Sequence, residues 1–542
     1  LRFLPVNCNT IMVELSGLTE TLALLDSLAM SPIFGVEEVI PAAKTLMIRF
    51  RPTKIAPQQL ATAISQRDLR ERGHATGKQI TIPVHYNGED LALVAEILGC
   101  TVQEVIRQHT ENEYTVAFTG FSPGFAYMVS KTLRWNIPRR KTPRTRIPAG
   151  AVALAGEFSS IYPQVSPGGW QIIGITTERM WDLSRPSPAL LQPGYRVNFR
   201  DAGYQPATIH LPEKSLPETA INNKVPASAA AYDLEILSVG LQTLFQDLGR
   251  VGQAKLGIPE SGAMDKSALR SANRLVGNAS DQACLEIVQG GFKAIAHGQV
   301  LIAITGASCP IEIKTSSGEI FHVSTYKPID LNEGDEISLG MPVAGMRSYL
   351  AVRGGFIIPA VLSSYAFDTL SNIGPVPLKI NDKLVVGETS HCAAVSFSET
   401  SAFDMPKKDD IVVLDIIFGP RTDWFTAESV DLLSKQLWQV TPQSNRIGLR
   451  LNGECSLSRS QPQELPSEGT CAGAIQIPAS GQPVLFLADH PVTGGYPVIA
   501  SVAEYHLDLA GQIPVTARIR FNPIGQFHEI QGSHDCHESN CR

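Results

Sequence analysis

Hydrophobic and polar positions divide the chain into stretches of different period. NTIMVEL (9–15) is a nearly continuous apolar run and predicts a strand. LTETLALLDSLAM (18–30) has apolar residues at helical spacing, KTLMIRF (44–50) returns to strand, and PQQLATAISQR (57–67) predicts a helix with a proline near its start. These four form a small α+β module ending near Gly77. KQITIPVHY (78–86) opens a second unit. The helices DLALVAEILG and TVQEVIRQHTEN follow, the latter with Thr101 and Glu104 spaced as a capping box. From Tyr114 to Arg200 short strands are broken by Gly and Pro, the pattern of a closed or sandwiched β body. The stretch 211–231, containing NNKVPASAAA, is polar and alanine-rich without a clear period and reads as a linker. A long β-rich region begins at LEILSVGLQTLFQDLG. One helix is expected at DKSALRSANRLVG, with Asp265 as its cap and Gly277 as its stop, and another at DWFTAESVDLLSKQL.

One phrase recurs. The four Gly-Gly pairs, at 168, 290, 354 and 494, are each followed by Trp, Phe or Tyr, although aromatics are only 7% of residues. Related phrases precede two of them, RIPAGAVALAG before Gly168 and QIPASGQPVLFLAD before Gly494, and a third, GIPESGAMD at Gly257, precedes the helix of the middle region. This predicts three related β modules, each entering a core strand through a glycine bend.

Composition narrows the function classes. A chain of 542 residues is too long for one core. Its net charge of −7 disfavours a nucleic-acid partner, since phosphate binding needs a basic face. No apolar run is long enough to span a membrane, and LRFLPVNCNT lacks the features of a secretory leader. The nine cysteines are odd in number and irregularly spaced, which suits reduced thiols better than a disulfide framework. The expectation is a cytoplasmic protein without a membrane partner. The tail HDCHESNC (534–541) lacks a second ligand pair at zinc spacing, so no metal site is expected.

FTGFSPGFAYM, IPAGAVALAG and IYPQVSPGGWQIIG resemble the B subunit of bacterial 5-oxoprolinase, the allophanate hydrolase subunit 1 family. QDLGRVGQAKLGIPESGAMDKSALRSANRLVGN, YLAVRGGF and LPSEGTCAGAIQIPASGQPVLFLADHPVTGGYPVIA resemble the C subunit, the allophanate hydrolase subunit 2 family. The resemblance covers nearly all of residues 1–530 and implies a B–C fusion, related to the carboxyltransferase modules of urea carboxylase. It implies a mainly β, multidomain fold with an α+β N-terminal module and three cyclophilin-like β-barrel domains. The expected division is 1–78, the small α+β domain; 79–210, the B-part barrel; 211–231, the linker; 232–400 and 401–530, the two C-part barrels; and 531–542, a polar tail. The implied activity is ATP-dependent opening of 5-oxo-L-proline to L-glutamate together with an A-type subunit. Two alternatives follow from the same family: biotin-dependent carboxyl transfer to urea or a related amide, and regulatory inhibition of a kinase.

Individual stretches carry the candidate chemistry. GHATGKQ at Gly73 has three residues between its glycines where a phosphate loop needs four, and Gln79 stands where Ser or Thr would bind magnesium. No Ala-Met-Lys-Met phrase appears, so no covalent biotin is expected in the chain, and ATP is expected to be bound by the partner subunit. The basic stretch RWNIPRRKTPRTRIPAG offers Lys141 and Arg144 for a substrate anion. Gly120, Phe121, Phe125 and Tyr127 of FTGFSPGFAY suit a wall for a planar amide. In the C part, Asp489 and Arg446 are catalytic candidates, the first to orient water and the second to hold an oxyanion or carboxylate; Glu468 joins them. Asn445 and His490 are binding candidates. GTCAG places Cys471 like the nucleophile of an elbow but without a triad context, so it is not favoured. In SGAMD, Asp265 is a helix cap whose neighbours Arg250 and Glu286 could help hold a site together. The expected partners are the A-type subunit and a small-molecule substrate; self-association stays open.

Overall fold

The computed structural model describes residues 1–69, 77–140, 142, 144–203, 233–461 and 463–532. Strand (35%) outweighs helix (15%), in keeping with the mainly β expectation. Among the described residues no helix is long and apolar enough to cross a membrane.

The N-terminal strands Arg2–Asn7, Thr10–Glu14, Thr45–Phe50 and Val36–Pro41 lie side by side in that order, all antiparallel. Helices Leu18–Met30 and Pro57–Ser65 cover one face, where Leu24, Leu28, Leu60 and Ile64 meet Ile11, Val13 and Ile48. The alternate residues Leu4, Met12 and Met47 point the other way and pack with Ala254 and Val492 of the distant C-type half. Side chains alternate across a strand. A sheet covered on both faces therefore needs apolar residues at consecutive positions, and NTIMVEL and KTLMIRF have them.

The next sheet has seven strands, with Arg196–Asp201 parallel to Gln79–Val84 at one edge. Past that edge, His85 and Ile175 exchange both backbone hydrogen bonds (2.8 and 2.9 Å), which brings the two ends of the sheet together. Thr101 Oγ1 accepts from the Glu104 amide at 3.2 Å, half of the expected capping box. The Glu104 carboxylate turns instead to Arg107 and Gln108.

The C-type half holds two bodies. In the first, a six-stranded and a five-stranded sheet pack face to face, and helix Lys266–Leu275 lies on the second, capped by Asp265 at the Ala268 amide (2.8 Å). The second is a closed barrel of seven strands. Its helix is Ala427–Lys435, capped by Thr426, because Thr422–Trp424 forms a separate 3₁₀ turn.

The four diglycines do not form one repeated element. Gly290–Gly291 and Gly354–Gly355 have φ between 68° and 91°, which a side chain rarely adopts. The pairs at 168 and 494 do not; there glycine makes room for a neighbouring side chain, Tyr162 at Gly168 and Arg139 at Gly495. The sequence at these four points is alike for two different steric reasons.

One buried residue gives the B-type body a pH dependence. His109 is fully enclosed, stacked on Phe199 (4.2 Å between centroids) and parallel to Trp135 (6.3 Å), with Tyr86 Oη 2.7 Å from its Nδ1. Burial pushes its imidazole down to about 3. The unfolded chain takes up this proton near pH 6.5 and the folded one does not, so stability is full above that value and falls as pH drops toward 3. We expect a loss of about 1.4 kcal/mol per pH unit in that window. Urea unfolding followed by tryptophan fluorescence at pH 7 and pH 5 measures it, and His109→Gln flattens the difference between the two.

Candidate active site

A cavity of about 460 Å³ opens where the second face of the N-terminal sheet meets both bodies of the C-type half. Glu38 and Arg49 reach it from neighbouring strands of the sheet. The loop GIPESGAMD contributes Glu260 and Ser261, and the helix behind it Lys266 and Arg270. Cys471 and His490 come from the barrel.

The charges are ordered. Glu260 accepts from Arg49 Nη1 at 2.8 Å and from Lys266 Nζ at 3.1 Å. Burial pushes its carboxyl up, but Lys266 and Arg49 outweigh this and hold it below the usual range. Glu38 accepts from the Ala254 amide at 3.3 Å, and burial raises its carboxyl despite Arg49 nearby. Arg270, half-buried on the cavity wall, makes no side-chain hydrogen bond or ion pair with any described residue. A guanidinium in that position is set to receive a carboxylate. His490 is buried, which lowers its pKa, and its Nδ1 lies 2.9 Å from the Pro491 carbonyl. A carbonyl only accepts, so Nδ1 carries the hydrogen and Nε2 keeps a lone pair. Burial pushes the Cys471 thiol up to about 12, so it stays protonated at neutral pH and is a poor nucleophile. The cavity thus joins a neutral imidazole nitrogen with a free lone pair, a carboxyl of raised pKa and a guanidinium unpaired among the described residues.

The sequence-predicted residues are distributed differently. Arg446 and Asp489 come together, but inside the protein: their side chains are 2% and 0% exposed. Arg446 Nε and Nη2 donate to the two oxygens of Asp489 at 2.9 and 3.0 Å, and Nη1 donates to Glu286 at 2.5 Å. Asp489 also accepts from Ser261 Oγ (2.6 Å) and from the Thr369 amide and hydroxyl (2.9 and 2.7 Å). Burial opposes the charge on Asp489, while Arg446 holds it well ionised. Neither residue lines the cavity; Ser261 and His490, their neighbours, do. Glu286 takes part in this cluster as well, and Arg250 lies beside it, donating to the Ala366 carbonyl. Glu468 is spent on Arg421, whose Nε stands 2.9 and 3.0 Å from its oxygens, and Arg421 also meets Glu14 at 2.7 Å. Asn445 turns its Oδ1 to the amides of Ile447 and Gly448.

In the B part, the GFSPGF loop docks on the C-type half. Gly120 lets Thr493 approach, and Thr493 Oγ1 accepts from the Phe121 amide at 2.9 Å. Phe121 itself has φ 61°. Phe125 and Tyr127 belong to an aromatic cluster with Trp170, their centroids 5.4 and 5.6 Å from its ring. Arg144 is committed to Asp90 through two bonds of 2.8 Å. Lys141 lies outside the described residues, as do most of GHATGKQ, the 211–231 stretch and the tail from residue 533. Sequence reasoning missed Glu38, Arg49 and Arg270. Arg270 and Glu260 sit within the GIPESGAMDKSALR phrase, whereas Glu38 and Arg49 stand in strands without any motif.

This architecture, an α+β module and β bodies sharing one central cavity, is of the carboxyltransferase-domain type. Residues 1–191 match the family "carboxyltransferase domain, subdomain C and D", and residues 256–523 match "carboxyltransferase domain, subdomain A and B". The 5-oxoprolinase C subunit of Escherichia coli is 35% identical over 291 residues, 53% of this chain and 90% of that protein. The 5-oxoprolinase B subunit of Haemophilus influenzae is 39% identical over 155 residues, 28% of this chain and 70% of that protein. The crystal structure of TTHA0988 covers 95% of this chain and 100% of its own at TM-score 0.78 and 29% identity. The urea amidolyase of Lachancea kluyveri is 32% identical over 319 residues, 54% of this chain but 17% of that protein. The chain belongs to the carboxyltransferase-domain family of the 5-oxoprolinase B and C subunits, with the two fused in one polypeptide, B part first.

The buried cluster and the open cavity respond differently to substitution. Arg446→Met leaves Asp489 and Glu286 charged without their shared partner, and should cost about 3–5 kcal/mol of stability. Arg270→Ala removes an unpaired side chain and should stay within about 0.5 kcal/mol. Urea-unfolding midpoints of the two variants against the parent chain measure the contrast.

Proposed function

We propose that this chain is the fused B–C component of an ATP-dependent 5-oxoprolinase and opens 5-oxo-L-proline to L-glutamate together with an A-type subunit that binds ATP. The observation that carries the reading is that relatives of both B and C subunits align to one chain whose central cavity takes Glu38 and Arg49 from the B-type half and Glu260, Arg270 and His490 from the C-type half. Arg270 receives the substrate carboxylate. His490 Nε2 and Glu38 are the groups that take a proton from water as its oxygen bonds to the lactam carbon. The C–N bond then breaks, and the ring nitrogen gains the proton that makes it the α-amine of glutamate. Activation of the lactam falls to the partner, by transfer of the γ-phosphoryl of ATP to the lactam oxygen, and phosphate leaves as the new carboxylate forms. Asp489 and Arg446 act in this reading as positioning residues, holding Ser261 and the turn before His490, and do not touch substrate.

Carboxyl transfer to a urea-like amide is the second reading, favoured by the match of the C-type half to urea amidolyase. It would require a separate biotin carrier, and a carboxybiotin-dependent product would support it.

Glutamate formation from 5-oxoproline and ATP should appear only when this chain and its A-type partner are mixed. Absence of product from a folded, associated pair would sink the reading. In the active mixture, Arg270→Ala should raise the KM for 5-oxoproline by about tenfold to a hundredfold, the worth of one charged hydrogen bond, with a smaller change in kcat.

Glu38 supplies a pH signature. Its carboxyl is raised by burial, and a base must be ionised to act. The acid limb of kcat should therefore lie above the ordinary carboxylate range. Glu38→Gln should lower kcat and abolish that limb, which a pH–rate profile between about pH 4 and 9 reads directly.

A further inference from the structure

A second cavity, of about 400 Å³, lies at the seam between the B-type body and the segment Glu464–Ser467 of the barrel. The proposed reaction does not use it. Its lining mixes polar and charged side chains with the aromatic residues Trp135, Trp170 and Phe158, and Trp170 is backed by Phe125 and Tyr127. Tyr127 Oη in turn lies 3.4 Å from Ser467 Oγ, so the aromatic wall is tied to the opposite side of the seam.

The basic stretch identified in the sequence splits here. Arg140 and Arg144 both turn to Asp90, at 2.6 and 2.8 Å. Arg139 turns the other way, into the seam. The only hydrogen bond of its guanidinium among the described residues runs from Nη2 to Ser467 Oγ, at 3.3 Å, and it meets no carboxylate. Its Nη1 lies against Gly495, where any Cβ would collide with it, so the diglycine of GGYPVIA is what admits the guanidinium. Lys44 and Arg134 stand on the rim without ion pairs to described residues, and Glu157 and Glu464 share that rim. The mouth carries both signs, while the interior carries only the half-buried Arg139. A guanidinium fork beside aromatic side chains suits a carboxylate joined to a planar ring.

We propose that the seam cavity is a second ligand site, for a small carboxylate borne on a flat ring, with Arg139 holding the carboxylate and Trp135 and Trp170 flanking the ring. The site is independent of the reaction assigned to the central cavity, and its test is a binding measurement on the full chain alone. Tryptophan fluorescence is titrated with pyrrole-2-carboxylate, with 2-pyrrolidinone (a ring without the carboxylate) and with acetate (a carboxylate without the ring). The expected result is saturable binding of pyrrole-2-carboxylate, at least about tenfold tighter than either control. Arg139→Gln, which keeps a donor for Ser467, should raise Kd about tenfold or more. Arg134→Ala, an exposed and unpaired position safe for folding, should raise it about threefold through lost attraction at the rim. Arg270→Ala should leave it unchanged. Absence of saturable binding overturns the proposal. So does equal binding of 2-pyrrolidinone, an unchanged Kd in both seam variants, or weakening by Arg270→Ala alone, which would place the probe in the central cavity.

Discussion

The interaction on which the C-type half depends is the fork of Arg446 between Asp489 and Glu286. Asp489 and Arg446 belong to the barrel, Glu286 to the first body, and the three side chains are 0–2% exposed. Taking such charges out of water is costly, and mutual attraction compensates only if nearly every donor and acceptor is satisfied. At Arg446, Asp489 and Glu286 the geometry meets that demand, while Nε of Arg347 and Nε and Nη1 of Arg250 are buried without a hydrogen-bond partner among the described residues. The remaining donor direction of Arg446 Nη2 goes to the Gly262 carbonyl at 2.6 Å, and Glu286 accepts further bonds from the Met264 amide (3.0 Å) and Tyr349 Oη (2.8 Å). Arg347, 3.7 Å from Glu286, adds a second positive charge beside that carboxylate. The bonded atoms at Ser261, Gly262 and Met264 fall close together in the loop that forms the cavity wall. The network therefore fixes the two bodies against each other and sets the course of that loop in the same step.

That arrangement separates rigidity from chemistry. This dense set of charged contacts lies behind the wall, where solvent screens it little. In the cavity Glu260 is held by Arg49 and Lys266, but Arg270 and the Nε2 of His490 keep their bonding capacity free of described residues. A residue already saturated by five hydrogen bonds, as Asp489 is, has no lone pair to offer a water molecule. Residues free to bind substrate must be those the fold has not used.

How much of this was legible follows from range. The α+β module, its helices and the Asp265 cap are local features, and the periodicity predicts them. Asp489 is a candidate because it ends an apolar strand, and Arg446 because a guanidinium can hold an anion; that the two enclose each other together with Glu286 has no local signal, since Glu286 lies 160 residues before Arg446. Likewise Gly120 and Phe121 read as a pocket wall because Gly and aromatics suit one; that Thr493, 372 residues beyond Phe121, fills the space could not be seen from the loop alone. Glu38 and Arg49 lack any motif: they are charged positions in strands whose sequences carry no further signal. Only the packing of the opposite sheet face shows that these positions look into a cavity.

The fusion gives the N-terminal sheet its particular constraint. Its second face, with Leu4, Met12 and Met47, is covered by Ala254 and Val492 of the C-type half. Where the B and C parts are separate chains, an equivalent apolar face would have to be an interface between them, and its burial would oppose the loss of translational and rotational freedom on association. In one polypeptide that loss is largely removed, because the second half is always near the first. Both cavities lie at such junctions: the central one needs the sheet, the GIPESGAMD loop and the barrel, and the seam needs the B-type body and Glu464–Ser467. Both cavities are thus shaped by contact between the halves, and fusion keeps that contact independent of protein concentration.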